Sequence, residues 1–150
     1  MKKIPIEISD FKMLIEEDYL FVDKSLLIKE FWESNGQTIL VPRPRRFGKP
    51  LNMSMLRYFF ENSNEDNRDL FKGLNIEKHK EIMELQGKYP VIYLSFKDEK
   101  HSSFEYLKES LNNLFSELFI EHEYCLNNPN LHKIDKEYYN SVINQRSRYN

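Results

Sequence analysis

The residues that could carry chemistry are concentrated in one basic stretch of the chain, Arg43-Pro44-Arg45-Arg46-Phe47-Gly48-Lys49-Pro50. A short apolar run precedes this stretch, and an amphipathic segment follows it at once. Glycine allows the backbone to close around phosphate oxygens, and the adjacent lysine brings a positive charge to the end of a bound nucleotide. A buried strand, a loop of backbone N–H groups and a helix N-terminus are typical of a phosphate-binding loop. We therefore expect these residues to bind a nucleotide.

Two positions depart from the phosphate-loop pattern G-x-x-x-x-G-K-[ST], because Arg43 stands at the first glycine and Pro50 at the Ser or Thr. Proline has no hydroxyl to bind Mg²⁺ and no N–H to donate to phosphate, although it fits the first turn of a helix. We therefore expect Mg²⁺ to bind poorly and hydrolysis to be weak or absent. Phe47 either anchors the loop in the core or lies against a ligand base. The pattern alone also fits a strand-to-helix turn with surface arginines.

A phosphate-binding loop normally works with a second strand that ends in an acidic residue. Asp98 and Glu99 follow an apolar segment, but Lys97 intervenes and the pair lies beyond the predicted strand end. The histidines lack the spacing of metal ligands, and Cys125 lacks the sequence pattern of a nucleophile. We therefore assign no catalytic residue and no metal ligand.

Helices are predicted where apolar residues recur at helical spacing. The predicted helices are a short one that carries Phe11, Leu14 and Ile15, then Lys24–Glu33, Leu51–Glu61, Ile76–Leu85, a long helix after Ser102, and Ile134–Gln145. Ser9 and Asp23 are the expected N-caps of the first two, and Gly36 the expected left-handed residue after the second. Ser102 and Glu105 form a capping box for the long helix.

Two apolar segments are predicted to be central strands, Thr38–Val41 before the basic stretch and Val91–Phe96. Strands that alternate with helices indicate an α/β fold. We therefore expect few central parallel strands flanked by helices.

The composition indicates a globular protein of one domain, with 150 residues, 40% hydrophobic and 31% charged. A formal net charge of −2 does not imply general affinity for nucleic acid or for anionic membranes. The single cysteine excludes an internal disulfide, and no apolar run is long enough to span a bilayer. We therefore expect a cytoplasmic protein with no membrane partner.

The segment Ile39–Phe60, with Arg-Pro-Arg-Arg-Phe-Gly-Lys at its centre, resembles the AAA-ATPase-like family of bacterial and archaeal proteins. That family has Arg-Pro-Arg-Arg-Phe-Gly-Lys-Thr at this point. Further similarity, in the same order along the chain, lies in Ile4–Phe11, Tyr19–Ser25 and Pro90–Asp98.

The resemblance implies an ATPase-like domain with an α/β fold, a P-loop NTPase-like three-layer sandwich that is incomplete in residues 1–150 and is often joined to a PD-(D/E)XK nuclease-like domain. It also implies that Gly48 and Lys49 face the phosphates of ATP. In such domains, strands that come later in the sequence lie between the loop-bearing strand and the next one. We therefore expect residues 1–150 to be the N-terminal portion of a longer P-loop domain and to be marginally stable alone. The missing C-terminal part would be a partner.

A second interpretation is a non-enzymatic module that binds nucleic acid or an acidic protein through Arg43, Arg45, Arg46 and Arg57. Phosphate contacts of this kind make affinity fall steeply with salt concentration. The sequence alone leaves this interpretation beside the nucleotide-binding one.

Overall fold

The computed structural model describes residues 2–42, 44, 48–63, 65–96 and 103–145. These residues form α-helices joined by turns and short 3₁₀ helices. The α-helices are α1 (Phe11–Glu16), α2 (Leu26–Glu33), α3 (Lys49–Phe60), α4 (Lys80–Met83), α5 (Phe104–Glu121) and α6 (Lys133–Ile143). The 3₁₀ helices are Arg68–Phe71, Asn75–Lys78 and Glu123–Asn127. The chain divides into two compact units, Met1–Tyr93 and Leu94–Asn150.

The first unit is built around an aromatic core at the α1–α3 contact. The ring of Phe11 lies 5.5 Å from that of Phe21 and 5.2 Å from that of Phe71. Phe59 of α3 meets Phe71 edge to face at 5.2 Å. Aromatic pairs in this geometry add stability beyond the area they bury. The buried core residues of this unit are Phe11, Ile28, Met55, Phe59, Phe60, Leu70, Phe71, Ile76 and Ile82.

Trp32 closes one side of this core from the last turn of α2. Its ring stacks on Phe60 at 5.9 Å and lies 5.5 Å from the ring of Tyr89. The residue is nevertheless 39% exposed. The indole therefore packs on the core with one side while the other faces solvent.

The ends of α1 and α2 differ by one or two residues from the sequence prediction. The N-cap of α1 is Asp10 rather than Ser9, since the Asp10 Oδ1 accepts a 2.8 Å hydrogen bond from the N–H of Met13. Both side chains can cap a helix, and the longer carboxylate also reaches α3. After α2 the left-handed residue is Asn35, with φ 49°, and not Gly36.

The expected α/β sandwich is wrong for the described residues, which contain isolated parallel bridges but no β-strand. Those bridges join Lys3 to Tyr19 and Glu61 to Tyr89. The segments expected to be central strands are not strands, and Leu40 is 83% exposed and Ile92 70% exposed. A strand is stable only when its backbone groups pair with a neighbour and its faces are covered. An apolar run alone does not provide either.

The second unit is a helical hairpin in which α5 packs against α6. The Ser116 hydroxyl, fully buried, donates a 2.8 Å hydrogen bond to the carbonyl of Val142. Tyr139 donates to the carbonyl of Phe119 at 2.6 Å, and the two rings lie 4.6 Å apart. The predicted long helix and last helix are therefore confirmed. Among the described helices, none is long and apolar enough to cross a lipid bilayer.

The N-cap of α5 is Ser103, whose hydroxyl accepts a 3.3 Å hydrogen bond from the N–H of Tyr106. The expected cap, Ser102, lies outside the described residues. Ser103 follows it directly and has the same capping chemistry, so the sequence located the start of this helix to within one residue.

Candidate functional site

The Gly-Lys pair of the basic stretch stands at the start of α3. Gly48 is the N-cap and adopts a left-handed conformation with φ 70° and ψ 23°. An added Cβ would meet no atom within 4 Å, so the backbone conformation, not space, requires glycine here. The carbonyl of Gly48 accepts a 2.9 Å hydrogen bond from the N–H of Asn52, and Lys49 is the first helical residue. The predicted helix after the basic stretch is therefore confirmed.

Among the described residues, no side chain caps the first turn of α3. Gly48 has none to offer, and Pro50 in the first turn has no N–H to donate. Unpaired N–H groups give a helix N-terminus a partial positive charge, which favours anions. Lys49 adds a full positive charge at the same end. The start of α3 is thus electrostatically suited to an anion but has one backbone donor fewer than an ordinary helix.

Four of the predicted site residues lie outside the part of the chain that the structure describes. Arg43, Arg45, Arg46 and Phe47 lie outside the described residues, as do Lys97, Asp98 and Glu99 of the rejected acidic pair. Pro44 is described and is exposed. Within the described residues the predicted site therefore consists of Pro44, Gly48, Lys49 and Pro50.

A polar connection fixes α3 to the N-terminus of α1. The Ser54 hydroxyl, on a residue only 4% exposed, accepts a 3.0 Å hydrogen bond from the N–H of Phe11. The Asp10 carboxylate accepts hydrogen bonds from the hydroxyls of Tyr58, at 2.9 Å, and Ser54, at 3.5 Å. Burial and this hydrogen bond to Asp10 raise the pKa of Tyr58 to about 12. The helix α3 is therefore attached to the start of α1 at its middle, through Ser54, and in its second half, through Tyr58.

Sequence reasoning missed this connection. Ser54 and Tyr58 are four residues apart, so they lie on one face of α3, and Ser54 is a polar residue among apolar ones. A buried hydroxyl needs a hydrogen-bond partner, so the serine at this core position indicated that α3 makes a polar contact with another element. Nothing in the sequence indicated that the partner would be the cap of α1.

The Asp23 carboxylate accepts hydrogen bonds from two parts of the first unit and thereby joins them. Its carboxylate accepts hydrogen bonds from the N–H of Ser25 at 2.8 Å and from the N–H of Asn75 at 2.7 Å. The buried Ser25 hydroxyl accepts a further bond from the N–H of Ile76 at 3.0 Å. Asp23 thus joins the start of α2 to the 3₁₀ helix Asn75–Lys78, and α2 begins at Leu26, two residues later than predicted.

The ionised form of Asp23 is favoured in this position. Burial favours the neutral acid, but hydrogen bonds from the Ser25 hydroxyl and from the N–H groups of Ser25 and Asn75 outweigh it. The pKa of Asp23 is therefore lowered from its ordinary value.

Arg57 contacts Glu61 and Tyr93 in the C-terminal half of α3, away from the basic stretch. Its guanidinium forms a two-pronged ion pair with Glu61, at 3.1 and 3.3 Å, and lies over the ring of Tyr93 at 5.3 Å. Nine residues of helix separate it from Gly48, which corresponds to about 13 Å along the axis. Arg57 is therefore a packing residue of the C-terminal half of α3.

The remaining titratable side chains that the structure describes form no recognisable metal centre. In the described part of the chain, no group of three or more His, Cys, Asp or Glu side chains could hold a metal ion. His132 caps α6, with its Nδ1 accepting a 3.3 Å hydrogen bond from the N–H of Ile134. Cys125 is exposed.

The chain belongs to the predicted AAA-ATPase family, whose model matches residues 5–149. It is also similar to the uncharacterized protein in the vnfD 5′ region of Azotobacter chroococcum mcd 1. The two are 34% identical over 96 residues, which cover 63% of this chain and 17% of that protein. The chain therefore spans only a small part of that relative's length. No solved structure matches this one.

Proposed function

We propose that the start of α3 and the preceding basic stretch bind the polyphosphate of a nucleotide, with ATP as the ligand. The observation that carries the proposal is the left-handed Gly48 directly before Lys49, at the first residue of a 12-residue helix. The positive end of the helix and a lysine therefore belong to the same first turn of α3. Membership of the predicted AAA-ATPase family supports ATP as the nucleotide.

The proposed contacts are few. The Lys49 ammonium would pair with the terminal phosphates, and the backbone N–H groups at the start of α3 would donate to phosphate oxygens. Arg43, Arg45 and Arg46 would add positive charge around the triphosphate, and Phe47 would either anchor the loop or lie against the base. Because residues 38–41 form no strand, the proposal rests on the helix start and on the family, not on a strand–loop–helix layout.

Hydrolysis would be weak or absent in this chain. In P-loop enzymes the Ser or Thr after the lysine binds Mg²⁺, which neutralises the charge that develops in the transition state. Pro50 has no hydroxyl for this role. Loss of the metal contact should therefore reduce catalysis more than binding.

A titration with a fluorescent ATP analogue tests the proposal. Lys49→Ala should weaken binding about tenfold, the effect expected when a charged hydrogen bond to phosphate is lost. Lys88→Ala, which removes an exposed lysine from outside the site, is the matched control and should leave affinity unchanged. Equal affinity of Lys49→Ala and the wild-type protein would overturn the proposal.

The metal contribution is tested with the same titration in Mg²⁺ and in EDTA. Affinity should differ little between the two conditions, and Pro50→Thr should restore a preference for Mg²⁺ and measurable ATP turnover. A strong Mg²⁺ requirement in the wild-type protein would show that another group binds the metal.

The nucleic-acid interpretation loses one of its four arginines, because Arg57 is paired with Glu61. Single-stranded and double-stranded DNA, titrated at several salt concentrations, complete the test. Strongly salt-dependent DNA binding that ATP does not displace would favour the nucleic-acid interpretation over ours.

A further inference from the structure

The chain contains a single Asn-Gly dipeptide, Asn35-Gly36, in the turn that follows α2. Asparagine is one of the thermolabile residues of proteins, because the backbone nitrogen of the next residue can attack its side-chain carbonyl carbon. Glycine at that next position has no Cβ to obstruct the attack. Neither the phosphate-binding proposal nor the family assigns a role to this dipeptide.

The turn is exposed and weakly restrained. Both residues are exposed, and so is the whole segment 31–42 in which they lie. Within the described residues, no backbone–backbone hydrogen bond involves residues 35–42. The Gly36 N–H, which would be the attacking group, donates a long hydrogen bond of 3.4 Å to the Ser34 hydroxyl. Exposed backbone of this kind opens at little cost in free energy, so the turn can reach the geometry of ring closure without unfolding of the first unit.

The Asn35 side chain is also held weakly. The residue has φ 49°, a left-handed conformation that asparagine adopts less readily than glycine does. Its Nδ2 donates a 3.2 Å hydrogen bond to the carbonyl of Glu33, and this bond is exposed. Water competes for both partners of an exposed hydrogen bond, so the bond adds little restraint. The side chain can therefore rotate its carbonyl carbon toward Gly36.

We propose that Asn35 is a site of spontaneous deamidation, a covalent modification that changes the charge of this turn. The backbone nitrogen of Gly36 forms a bond to Cγ of Asn35, the Cγ–Nδ2 bond breaks, and the amide nitrogen leaves as ammonia with the proton of the Gly36 N–H. Water then opens the resulting succinimide at one of its two carbonyls. The products are an aspartate and an isoaspartate at position 35.

The modification weakens the end of α2. A carboxylate cannot donate a hydrogen bond to the Glu33 carbonyl. Its negative charge also lies at the helix end that already carries a partial negative charge, since Ser34 is the C-cap of α2. Trp32, which stacks on Phe60, belongs to the same last turn of the helix. Deamidation therefore acts on the part of α2 that closes the aromatic core.

The experiment is an incubation of the full chain in mildly alkaline buffer, followed by proteolysis and mass spectrometry of the peptide that contains Asn35. Conversion to two acidic isomers is expected, at a rate proportional to the hydroxide concentration, because the attacking nitrogen must lose its proton. Asn62 is exposed and is followed by Ser63, so it is the internal control and should react more slowly. Equal conversion of Asn62, or no conversion of Asn35 in the folded chain when the urea-unfolded chain reacts, would overturn the proposal.

Two variants test the mechanism and its effect. Gly36→Ala should react about tenfold more slowly, which corresponds to about 1.4 kcal/mol in the barrier to ring closure. Its added Cβ would lie 3.3 Å from Cγ1 of Ile39, a side chain that is 40% exposed and can shift, so the variant should fold. Equal rates of Gly36→Ala and the wild-type protein would overturn the mechanism.

Asn35→Asp reproduces one of the two products in every molecule. It should unfold at a lower urea concentration than the wild-type protein, because the bond to the Glu33 carbonyl is lost. An unchanged midpoint would refute the proposed effect on α2.

Discussion

The phenol of Tyr58 donates a 2.9 Å hydrogen bond to the carboxylate of Asp10, which is also the N-cap of α1. One carboxylate therefore caps the start of α1 and also binds α3. Because α3 begins at Lys49, the position of the proposed phosphate site depends on a contact made about two and a half turns further along the same helix.

Tyr58→Phe should lower the free energy of unfolding by about 1 kcal/mol at neutral pH, the usual net value of one hydrogen bond. The wild-type protein should also lose stability in alkali. The pKa of Tyr58 is raised to about 12 in the folded state. The stabilisation by the Tyr58–Asp10 hydrogen bond is therefore complete below about pH 10, the ordinary pKa of tyrosine, and is lost as the pH rises toward 12. Urea unfolding at pH 7.5 and at about pH 11 measures both effects.

The control for this prediction is Tyr106→Phe, which changes an exposed tyrosine of the second unit. It should have wild-type stability at neutral pH and the same alkaline loss as the wild-type protein. If the difference in stability between the wild-type protein and Tyr58→Phe does not shrink in alkali, the Tyr58–Asp10 bond is not the titrating contact.

Asp23→Asn should destabilise the first unit by about 1–2 kcal/mol, because an amide replaces one of the two acceptor oxygens with a donor. The sign of the pH effect is opposite to that of Tyr58. The pKa of Asp23 is lowered on folding, so its contribution is present at neutral pH and is lost as the pH falls below about 4. Thermal unfolding of both proteins between about pH 3 and 7 measures this loss. Glu30→Gln, on an exposed position of α2, should behave as wild type, and a difference that does not vary with pH would refute the assignment.

Gly48→Ala should lower the free energy of unfolding by about 1 kcal/mol, because alanine must adopt the left-handed conformation that only glycine adopts without strain. Gly48→Asn should lose less, since asparagine tolerates this conformation best among other residues. Urea unfolding of the wild-type protein and of both variants measures the order of their stabilities. Equal losses of stability in the Ala and Asn variants would indicate a steric clash of the added side chain instead. No such clash is expected, because the Cβ position at Gly48 has no atom within 4 Å.

Ser116→Leu should separate α5 from α6, since a larger side chain cannot fit at a fully buried position in close contact with the backbone of Val142. Ser116→Ala keeps the volume and should lose about 1 kcal/mol or less. Far-UV circular dichroism should show lost helix content in the leucine variant only. Full helix content in Ser116→Leu would mean that the two helices pack without this contact.

The sequence was most informative where a periodic apolar pattern extended over several turns. The helix α5 was located from leucines at helical spacing, and its start was missed by one residue because Ser102 and Ser103 have the same capping chemistry. Helix α3 and its glycine were also located correctly. The left-handed conformation of Gly48 was not predicted, because the residue before a helix ordinarily has an extended backbone.

The errors came from features that depend on distant parts of the chain. Residues 38–41 have the composition of a buried strand, but a strand needs partners that no local pattern specifies, and Leu40 is exposed. The connection of Ser54 and Tyr58 to Asp10, and that of Asp23 to Asn75, join residues more than forty positions apart. Hydrogen bonds between such distant residues can be identified only from the three-dimensional arrangement of the helices.

Trp32 is the chain's one tryptophan, and it sits with one ring face on Phe60 in the first unit. Its emission spectrum is consequently an unlabelled optical probe of that unit alone, whereas circular dichroism reports the helices of both units. Comparing the two signals during denaturation would reveal whether both halves melt cooperatively or one after the other.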